Sequence, residues 1–344
     1  MIETTLTFDD VLLVPQYSDI ESRSEVDVSI KLSKGIEVKH PIIPANMKTI
    51  TEIDMCRAMF QSGGMSIVHR FMPIEDQIAI PIKLAKELGD IIWNFVGLSV
   101  GVKKEDREVI DRMVKSGCRI LVVDVAHGHS KLCIDMCRYI SDKYPDVFLI
   151  AGNVATRDGA AALWNAGADA VKIGVGPGSL CSTRIETGNG YAQFSAIQNI
   201  ANPSHFKRTD NGGKLCKFII ADGGIKNAGD CVKALCYADL VMAGNLFAGT
   251  DESPGSIIEE NGVRYKEYAG SSTHKTNRIE GVIARVPTKG KAKDVLQRLA
   301  EGIQSGCSYQ GVRNLTDLKK NPQFVQITNN GLAESHPHDV KVIR

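Results

Sequence analysis

The residues best suited to chemistry lie in one stretch, 171–193, which reads VKIGVGPGSLCSTRIETGNGYAQ. A β-branched apolar run there leads to three glycines at alternate positions, Gly174, Gly176 and Gly178. Glycine tolerates positive φ and, because it lacks a Cβ, lets the backbone approach a ligand closely. Cys181 follows in polar company, and Arg184 would favour its thiolate over its thiol. The stretch predicts a nucleophilic cysteine on a glycine-rich loop at the end of a strand.

A dinucleotide-binding loop and a buried core cysteine are the two alternatives to a nucleophile in this stretch. A dinucleotide-binding fingerprint needs a third glycine that opens directly into a helix, whereas Ser179 holds that position and a further polar loop follows. A free cysteine is most often a small buried hydrophobe. The polar neighbours of Cys181 favour a reactive thiol over a core residue.

Composition and charge exclude several classes of protein. The chain has 344 residues, of which 43% are hydrophobic and 24% are charged, as in an ordinary globular protein. A net charge of +1 gives no reason to expect nucleic acid or an anionic membrane as a partner. No apolar run approaches the ~20 residues needed to cross a bilayer. Any recognition of phosphate must therefore be local.

The cysteines point to a reducing compartment. There are nine, an odd number, and the opening MIETTLTFDD lacks the basic and apolar regions of a signal peptide. We therefore predict free thiols and a cytoplasmic location. Cys133 and Cys137, like Cys231 and Cys236, lack a second pair at zinc-finger spacing, which disfavours a metal site.

The elements that must position Cys181 follow a regular rhythm. After an extended lead-in at 5–30, eight short apolar runs recur, at 41–47, 64–70, 94–101, 119–128, 147–154, 169–176, 217–225 and 238–247. Helical periodicity occupies segments between them, such as 73–88, 104–116, 130–143, 157–166 and 227–237. Runs that are apolar on both faces and followed by helices indicate parallel strands. We predict a single α/β domain over 1–344, a (β/α)8 TIM barrel.

In such a barrel the active site lies at the C-terminal ends of the strands. The predicted runs end in polar or glycine-rich residues, and the loops after the seventh and eighth runs, ADGG and AGN, suit a phosphate group. From 250 to 281 the rhythm breaks into a charged, glycine-bearing excursion with a hairpin strand at 263–268. Its position favours a flap over the site. Two helices, at 292–306 and 314–319, then close the chain.

Many of these motifs, in order, resemble the inosine monophosphate dehydrogenase and guanosine monophosphate reductase family. They are TFDDVLLVP, PANM, GGMSIVHR, VVDVAHGHS, AGNVAT, GVGPGSLCSTR, IADGGI, AGNLFAGTDESPG and AESHPHDV, and together they span nearly the whole chain. The resemblance implies an oxidoreductase that acts on a purine mononucleotide, GMP or IMP. It also implies a homotetramer.

The resemblance leaves the choice between the two enzymes open, with the reductase favoured. Dehydrogenases typically insert a pair of nucleotide-binding CBS (Bateman) modules after the second barrel strand, and here HRFMPIEDQ continues through one helix instead. Short dehydrogenases without the insertion are known. Dehydrogenases also carry an Arg-Tyr pair in the flap, and none occurs between residues 270 and 280. PANM, HRF, TGNGY and SGCSYQG look like reductases, whereas AESHPHDV, RVPTKG and AGNLFAGT look like bacterial dehydrogenases. A nucleotide-binding protein with weak catalysis is the third hypothesis.

The resemblance assigns roles to individual residues. Cys181 matches the nucleophile that adds to purine C2, and Thr183 with Glu280 matches the pair that handles protons. In a reductase NADPH donates the hydride; in a dehydrogenase NAD accepts it. Residues that match the nucleotide site are Met47, Ser179, Asp222, Gly223, Gly224, Gly244, Asn245, Tyr268, Gly270 and Ser271. Those that match the nicotinamide side are Asp124, Asn153 and Gly174.

The resemblance also implies a monovalent cation site, such as one for K+. Its ligands would be backbone carbonyls of Gly176, Gly178 and Cys181, completed in bacterial dehydrogenases by a neighbouring subunit through the residues that match Glu334, Ser335 and His336.

Simpler structural roles stand beside these assignments. Asp124 and Asp222 could be helix caps after strands. His127 and His129 could look like a metal pair, but alternate residues of a turn rarely converge on one ion. Glu280 could be a solvated charge on the flap. The chain also departs from the family where Lys48 replaces an acid after the methionine, and where the flap carries Ser-Ser-Thr in a shortened turn.

Overall fold

A computed structural model describes residues 2–202, 217–270 and 282–340 of the chain. The strands are β1 (Val11–Leu13), β2 (Ile30–Lys31), β3 (Glu37–Val38), β4 (Ile42–Pro44), β5 (Ser66–Val68), β6 (Val96–Val100), β7 (Ile120–Asp124), β8 (Phe148–Val154), β9 (Ala170–Ile173), β10 (Phe218–Asp222), β11 (Leu240–Ala243), β12 (Ile258–Glu260), β13 (Val263–Ala269), β14 (Ile283–Pro287) and β15 (Phe324–Gln326).

The helices are α1 (Ile53–Gln61), α2 (Ile74–Leu88), α3 (Asp106–Lys115), α4 (Lys131–Lys143), α5 (Arg157–Asn165), α6 (Thr183–Thr187), α7 (Gln193–Ala201), α8 (Ala228–Leu235), α9 (Ala292–Tyr309), α10 (Leu315–Leu318) and α11 (Asn329–Glu334). Short 3-10 turns occur at Phe8–Asp10, Arg23–Glu25 and Asp90–Asn94.

Eight parallel strands form the barrel, in the hydrogen-bonded order β4-β11-β10-β9-β8-β7-β6-β5. The two outer strands, β4 and β5, lie beside each other and bring the sheet round to near closure. Each of the eight predicted apolar runs contains one barrel strand, and each of the five predicted helices between them is present. The predicted (β/α)8 TIM barrel is confirmed.

The core follows from the two periodicities of the sequence. All five residues of β6 are buried, because a strand of this barrel is covered by side chains inside and by helices outside. In α4 the buried residues are Cys133, Met136, Cys137 and Ile140, which share one helical face by their spacing. Cys133 and Cys137 are therefore core residues. Within the described ranges, no group of three His, Cys, Asp or Glu residues could hold a metal ion.

Segments from both ends of the chain pack beside the barrel and against α7. β1 pairs antiparallel with β15. Leu6 donates its N–H to the hydroxyl of Ser195, and Ser195 donates its N–H to the carbonyl of Leu6. The ring of Phe194 in α7 packs edge-on against the rings of Phe8 and Phe324, at centroid distances of 6.4 and 4.8 Å. The helix that follows the predicted catalytic loop is thus held by the two ends of the chain.

The predicted flap region begins with more regular structure than the sequence indicated. Where one hairpin strand was expected, β12, β13 and β14 form a three-stranded antiparallel sheet. The described residues on either side of 271–281 meet, since Gly270 donates its N–H to the carbonyl of Val282. Val282 in turn donates its N–H to the carbonyl of Leu180 at 3.1 Å, so the base of this sheet is joined to the loop that carries Cys181.

Among the helices that the structure describes, none is both long and apolar enough to cross a membrane.

Candidate active site

Cys181 lies at the C-terminal end of the sixth barrel strand, between β9 and α6. Its Sγ is partly exposed and lies 3.2 Å from Oγ1 of Thr183. The polar loop predicted after the cysteine contains the short helix α6, which starts at Thr183 and fixes this hydroxyl two residues from the thiol. The eight thiols that the structure describes are free, and the other seven are buried, so Cys181 is the accessible one among them. This placement supports a nucleophile rather than a core cysteine.

A cavity of about 190 Å³ opens beside the thiol. Its wall combines several of the predicted site residues, namely Met47, Asp124, Asn153, Gly174, Gly176, Cys181, Thr183 and Asp222. They come from the ends or following loops of five different barrel strands, which is how a barrel assembles a site from residues distant in sequence. The residues predicted for the nucleotide and those predicted for the nicotinamide therefore meet around one thiol.

Hydrogen bonds from Asn153, in the fifth barrel strand, join it to the ends of the sixth and seventh strands. The side-chain amide of Asn153 donates to Oδ2 of Asp222 at 2.8 Å and to the carbonyl of Gly174 at 2.9 Å. A Cβ on Gly174 would lie 2.1 Å from the carbonyl oxygen of Asp222, which explains the glycine. Asp222 and Asp124 end their strands and point into the cavity, so the alternative that they are helix caps is not what the contacts support.

Lys172 lies between the two carboxylates. Its Nζ is 3.0 Å from Oδ1 of Asp124 and 2.9 Å from Oδ2 of Asp222. Burial by itself would lower the pKa of Lys172, but the two carboxylates outweigh burial and raise it above its usual value. The side chain is thus a buried, permanently charged ammonium at the base of the site.

The loop after the seventh strand approaches the cysteine loop, as predicted for a phosphate site. A Cβ on Gly223, whose φ is +91°, would lie 3.0 Å from Pro177 and 3.3 Å from the backbone nitrogen of Gly178. Ser179 and Gly224 line a neighbouring cavity of about 250 Å³ together with Lys226. Backbone N–H groups on such crossing loops suit a phosphate group.

Tyr268 joins the loop after the eighth strand. A Cβ on Gly244 would lie 2.5 Å from the Tyr268 hydroxyl, so the two predicted nucleotide residues are neighbours. Burial, and secondarily the charge of Asp222, raise the pKa of Tyr268 to about 12. The phenol is therefore a neutral hydrogen-bond donor at physiological pH. Asn245 accepts hydrogen bonds from Lys289 through its backbone and side-chain oxygens, and burial lowers the pKa of that lysine to about 8.

A second, mostly apolar cavity of about 430 Å³ adjoins the thiol on the side of Thr183 and Val175. Its wall includes Tyr191, His127 and His129, and the ring centroids of the two histidines lie 6.4 Å apart. This cavity shares Val175 and Thr183 with the main cavity, whereas Asp124, Asn153 and Gly174, which are predicted for the nicotinamide side, line the main cavity.

Some predicted residues have other surroundings than expected. Arg184, predicted to favour the thiolate of Cys181, donates from its guanidinium to the backbone carbonyls of Val175 and Tyr191, and it thereby joins the two ends of the loop. The carbonyl of Gly178 accepts the N–H of Cys181 at 3.1 Å, within a tight turn. Ser271 and Glu280 lie outside the described residues, whereas Gly270 is the last described residue before them.

Sequence reasoning missed three contributors to the main cavity. They are Lys172, Asn46 and Arg70. Asn46 is buried and contacts Ser99 and Lys172, and the Nε of Arg70 donates to the carbonyl of Asp124. The sequence contains one signal for Lys172, since it is a lysine in an otherwise apolar run. A buried charge in such a strand requires buried partners of opposite charge.

Comparisons with known proteins agree with this geometry. A family model described as "IMP dehydrogenase / GMP reductase domain" matches residues 5–338. The GMP reductase of Lactobacillus gasseri is 38% identical over 321 residues, covering 91% of this chain and 92% of that protein. The inosine-5'-monophosphate dehydrogenase of Nitrosopumilus maritimus is 33% identical over 475 aligned positions, covering 97% and 98%.

A crystal structure shares the whole fold. It is a variant of GMP reductase from Trypanosoma brucei in complex with guanosine 5'-monophosphate, with a TM-score of 0.87, 29% identity and 99% of both chains covered. The fold and the site define a barrel enzyme whose thiol lies at the C-terminal end of its strands. The chain belongs to the IMP dehydrogenase/GMP reductase family, whose members are oxidoreductases that use a nicotinamide cofactor.

Proposed function

We propose that the chain is a GMP reductase, which converts GMP to IMP and ammonia with NADPH. The observation that carries the proposal is the Cys181–Thr183 pair, at 3.2 Å, beside a cavity that also contains Asp222 and Asp124. The full-length likeness to a GMP reductase that binds GMP supports the same substrate. In sequence, the absence of an Arg-Tyr pair between residues 270 and 280 favours the reductase over the dehydrogenase.

The first step is covalent. Sγ of Cys181 forms a bond to purine C2, and the bond from C2 to the exocyclic nitrogen breaks. Nitrogen leaves as ammonia and takes up the proton that the thiol gives up. Thr183 lies where it can pass that proton, since its hydroxyl contacts Sγ. Glu280 is the expected partner of Thr183 in this proton transfer.

The second step restores the thiol. Asp124 and Asn153 would hold the nicotinamide of NADPH, which would supply a hydride to C2. The bond from C2 to sulfur would then break, and Cys181 would leave as a thiolate and take up a proton from solvent. Through these steps Asp222 would hold the ribose hydroxyls, and the loops at Gly223, Gly224 and Gly244 would hold the phosphate.

We also propose that residues 1–344 form one catalytic domain without inserted CBS modules. Between β5 and β6 the chain has only α2 and a 3-10 turn. The alignment with the dehydrogenase from N. maritimus has 475 positions against 344 residues here, so at least 131 of them have no counterpart in this chain. A cytoplasmic homotetramer and a K+ ion on the carbonyls of Gly176, Gly178 and Cys181 complete the proposal.

An IMP dehydrogenase that oxidises IMP with NAD is the second candidate. Dehydrogenases are among the relatives that match over nearly the whole chain, and the AESHPHDV and RVPTKG motifs resemble theirs. In that enzyme the same thiol would add to C2 of IMP, and water rather than hydride would complete the reaction.

Absorbance at 340 nm separates the candidates. The reductase predicts loss of NADPH absorbance with GMP, together with formation of IMP and ammonia. Gain of absorbance with IMP and NAD would instead identify the dehydrogenase. Binding of either nucleotide without turnover under both conditions would leave a nucleotide-binding protein and reject both enzymes.

A further inference from the structure

Lys172 is a buried cation that the proposed chemistry does not use. It is the third residue of β9 and only 2% exposed. Its ammonium contacts Asp222 on the neighbouring strand β10 and Asp124 on β7, which lies two strands away in the other direction. Asn46 Oδ1 is a further, longer contact at 3.4 Å. The ammonium thus bridges the sheet inside the barrel.

The two carboxylates serve different ligands. Asp222 is expected to bind the ribose of the nucleotide, and Asp124 lies where the nicotinamide side is expected. The contacts that Asp222 makes to Lys172 and Asn153 both fall on Oδ2, so Oδ1 is the oxygen available to a hydroxyl. One ammonium therefore orients the groups for both ligands.

Charge makes this sharing consequential. Asp124 and Asp222 have 19% and 18% of their side chains exposed, and a single lysine balances both. Interactions between charges are strong where water is largely excluded. When a ligand hydroxyl donates to one carboxylate, the attraction between that carboxylate and Lys172 changes. The attraction between Lys172 and the other carboxylate then changes as well.

We propose that Lys172 is a positioning residue that couples nucleotide binding to cofactor binding by holding Asp124 and Asp222 on one ammonium. The inference rests on the proposed function for the identity of the two ligands. Coupling between sites is reciprocal, so the factor by which the cofactor changes nucleotide affinity equals the factor by which the nucleotide changes cofactor affinity.

Calorimetric titration measures this factor without turnover. GMP is titrated into the full chain with and without saturating NADP+, a pair that cannot react with each other. In the unaltered protein we expect NADP+ to change the Kd of GMP by about fivefold or more. Lys172→Met removes the charge at similar length; it should weaken GMP binding by about 10- to 100-fold and bring the coupling factor close to 1. Lys172→Arg keeps the charge and should keep the coupling.

Lys319→Met is the matched control. Lys319 pairs with Asp239, which is 1% exposed, at the opposite end of the barrel. This variant should lose stability yet retain GMP affinity and coupling. Equal loss of coupling in Lys172→Met and Lys319→Met would show a general structural effect and overturn the inference.

Failure of the inference is distinct from failure of the proposed function. If the unaltered protein does not bind GMP, the proposed substrate is wrong. If it binds GMP and Lys172→Met keeps the coupling, or if the unaltered protein shows none, Lys172 does not couple the sites although the substrate stands. Should Lys172→Met not fold, Asp124→Asn replaces it, since it leaves the lysine with one carboxylate, and retained coupling there would equally overturn the inference.

Discussion

The carboxylates at the two ends of the barrel differ in their hydrogen-bond and ion-pair partners. At the N-terminal end, Asp169 precedes β9 and Asp239 precedes β11. Each accepts a backbone N–H from the neighbouring strand, of Leu149 at 2.8 Å and of Ile219 at 2.7 Å. Each also has its own lysine, Lys34 and Lys319 respectively. Both oxygens of each of these carboxylates therefore have a partner within the fold.

At the C-terminal end the carboxylates keep acceptor capacity that the chain itself does not use. Asp124 and Asp222 share Lys172, and both open onto the cavity beside Cys181. Carboxylates with spare acceptor capacity can bind hydroxyl groups of a ligand, whereas those saturated by the chain can only hold strands together. The difference predicts that changes at one end affect catalysis and that changes at the other affect stability.

The largest effect should follow Cys181→Ala. Loss of the nucleophile removes the covalent step, so we expect the rate of NADPH oxidation with GMP to fall by about 1,000-fold or more. Calorimetry should show GMP affinity and the midpoint of thermal unfolding nearly unchanged. Residual turnover near that of the unaltered protein would mean that Cys181 is not the nucleophile.

Thr183→Val tests proton transfer at the same end. The substitution keeps the shape and removes the hydroxyl that contacts Sγ, so kcat should fall by about 100-fold with little change in KM for GMP. Thr183→Ser keeps the hydroxyl and serves as the control. A rise in KM with unchanged kcat would assign Thr183 to binding instead.

A pair of equivalent substitutions compares the ends directly. Asp222→Asn should raise the KM for GMP by about 30-fold with little loss of stability, because it weakens a ligand contact. Asp239→Asn should lower the free energy of unfolding by about 3 kcal/mol, because it leaves Lys319 beside an uncharged partner. Denaturant titration and steady-state kinetics measure both quantities. The comparison between the ends breaks down if Asp239→Asn changes KM more than Asp222→Asn does.

Tyr268→Phe should have the smallest effect. The phenol, with its pKa raised to about 12, lies against Gly244 as a neutral group that can donate one hydrogen bond to a phosphate. Its loss should raise the KM for GMP by about fivefold and leave kcat unchanged. The nucleoside guanosine, which lacks the phosphate, is the control substrate, and an equal effect on both would argue against a phosphate contact.

Most of the fold could be predicted from local patterns. Barrel strands are buried on both faces and helices on one, so hydrophobic periodicity located all eight strands and five of the helices between them, but not α1 or α7. The position of Cys181 after the sixth strand followed from the same pattern. Such predictions succeed because each depends on a few adjacent residues.

Features that depend on register across the barrel could not be predicted in this way. Lys172 meets Asp124 only because β9 and β7 are aligned at that height, which no local pattern encodes. Asn153 lies at an irregularity in the pairing of β8 with β9, where its side chain reaches Asp222. Arg184 lies near the thiol in sequence, yet the path of the loop brings carbonyl oxygens to its guanidinium first.

The packing of Phe194 between Phe8 and Phe324 bears on how the protein is made. A ribosome releases Phe8 early and Phe324 only after every barrel strand has been synthesised. The helix after the catalytic loop can therefore gain the contact with Phe324 only after all eight barrel strands have been synthesised. A nascent chain would contain the barrel strands before it contained every residue that braces the catalytic loop, so the competence to react with nucleotide would follow the synthesis of the barrel.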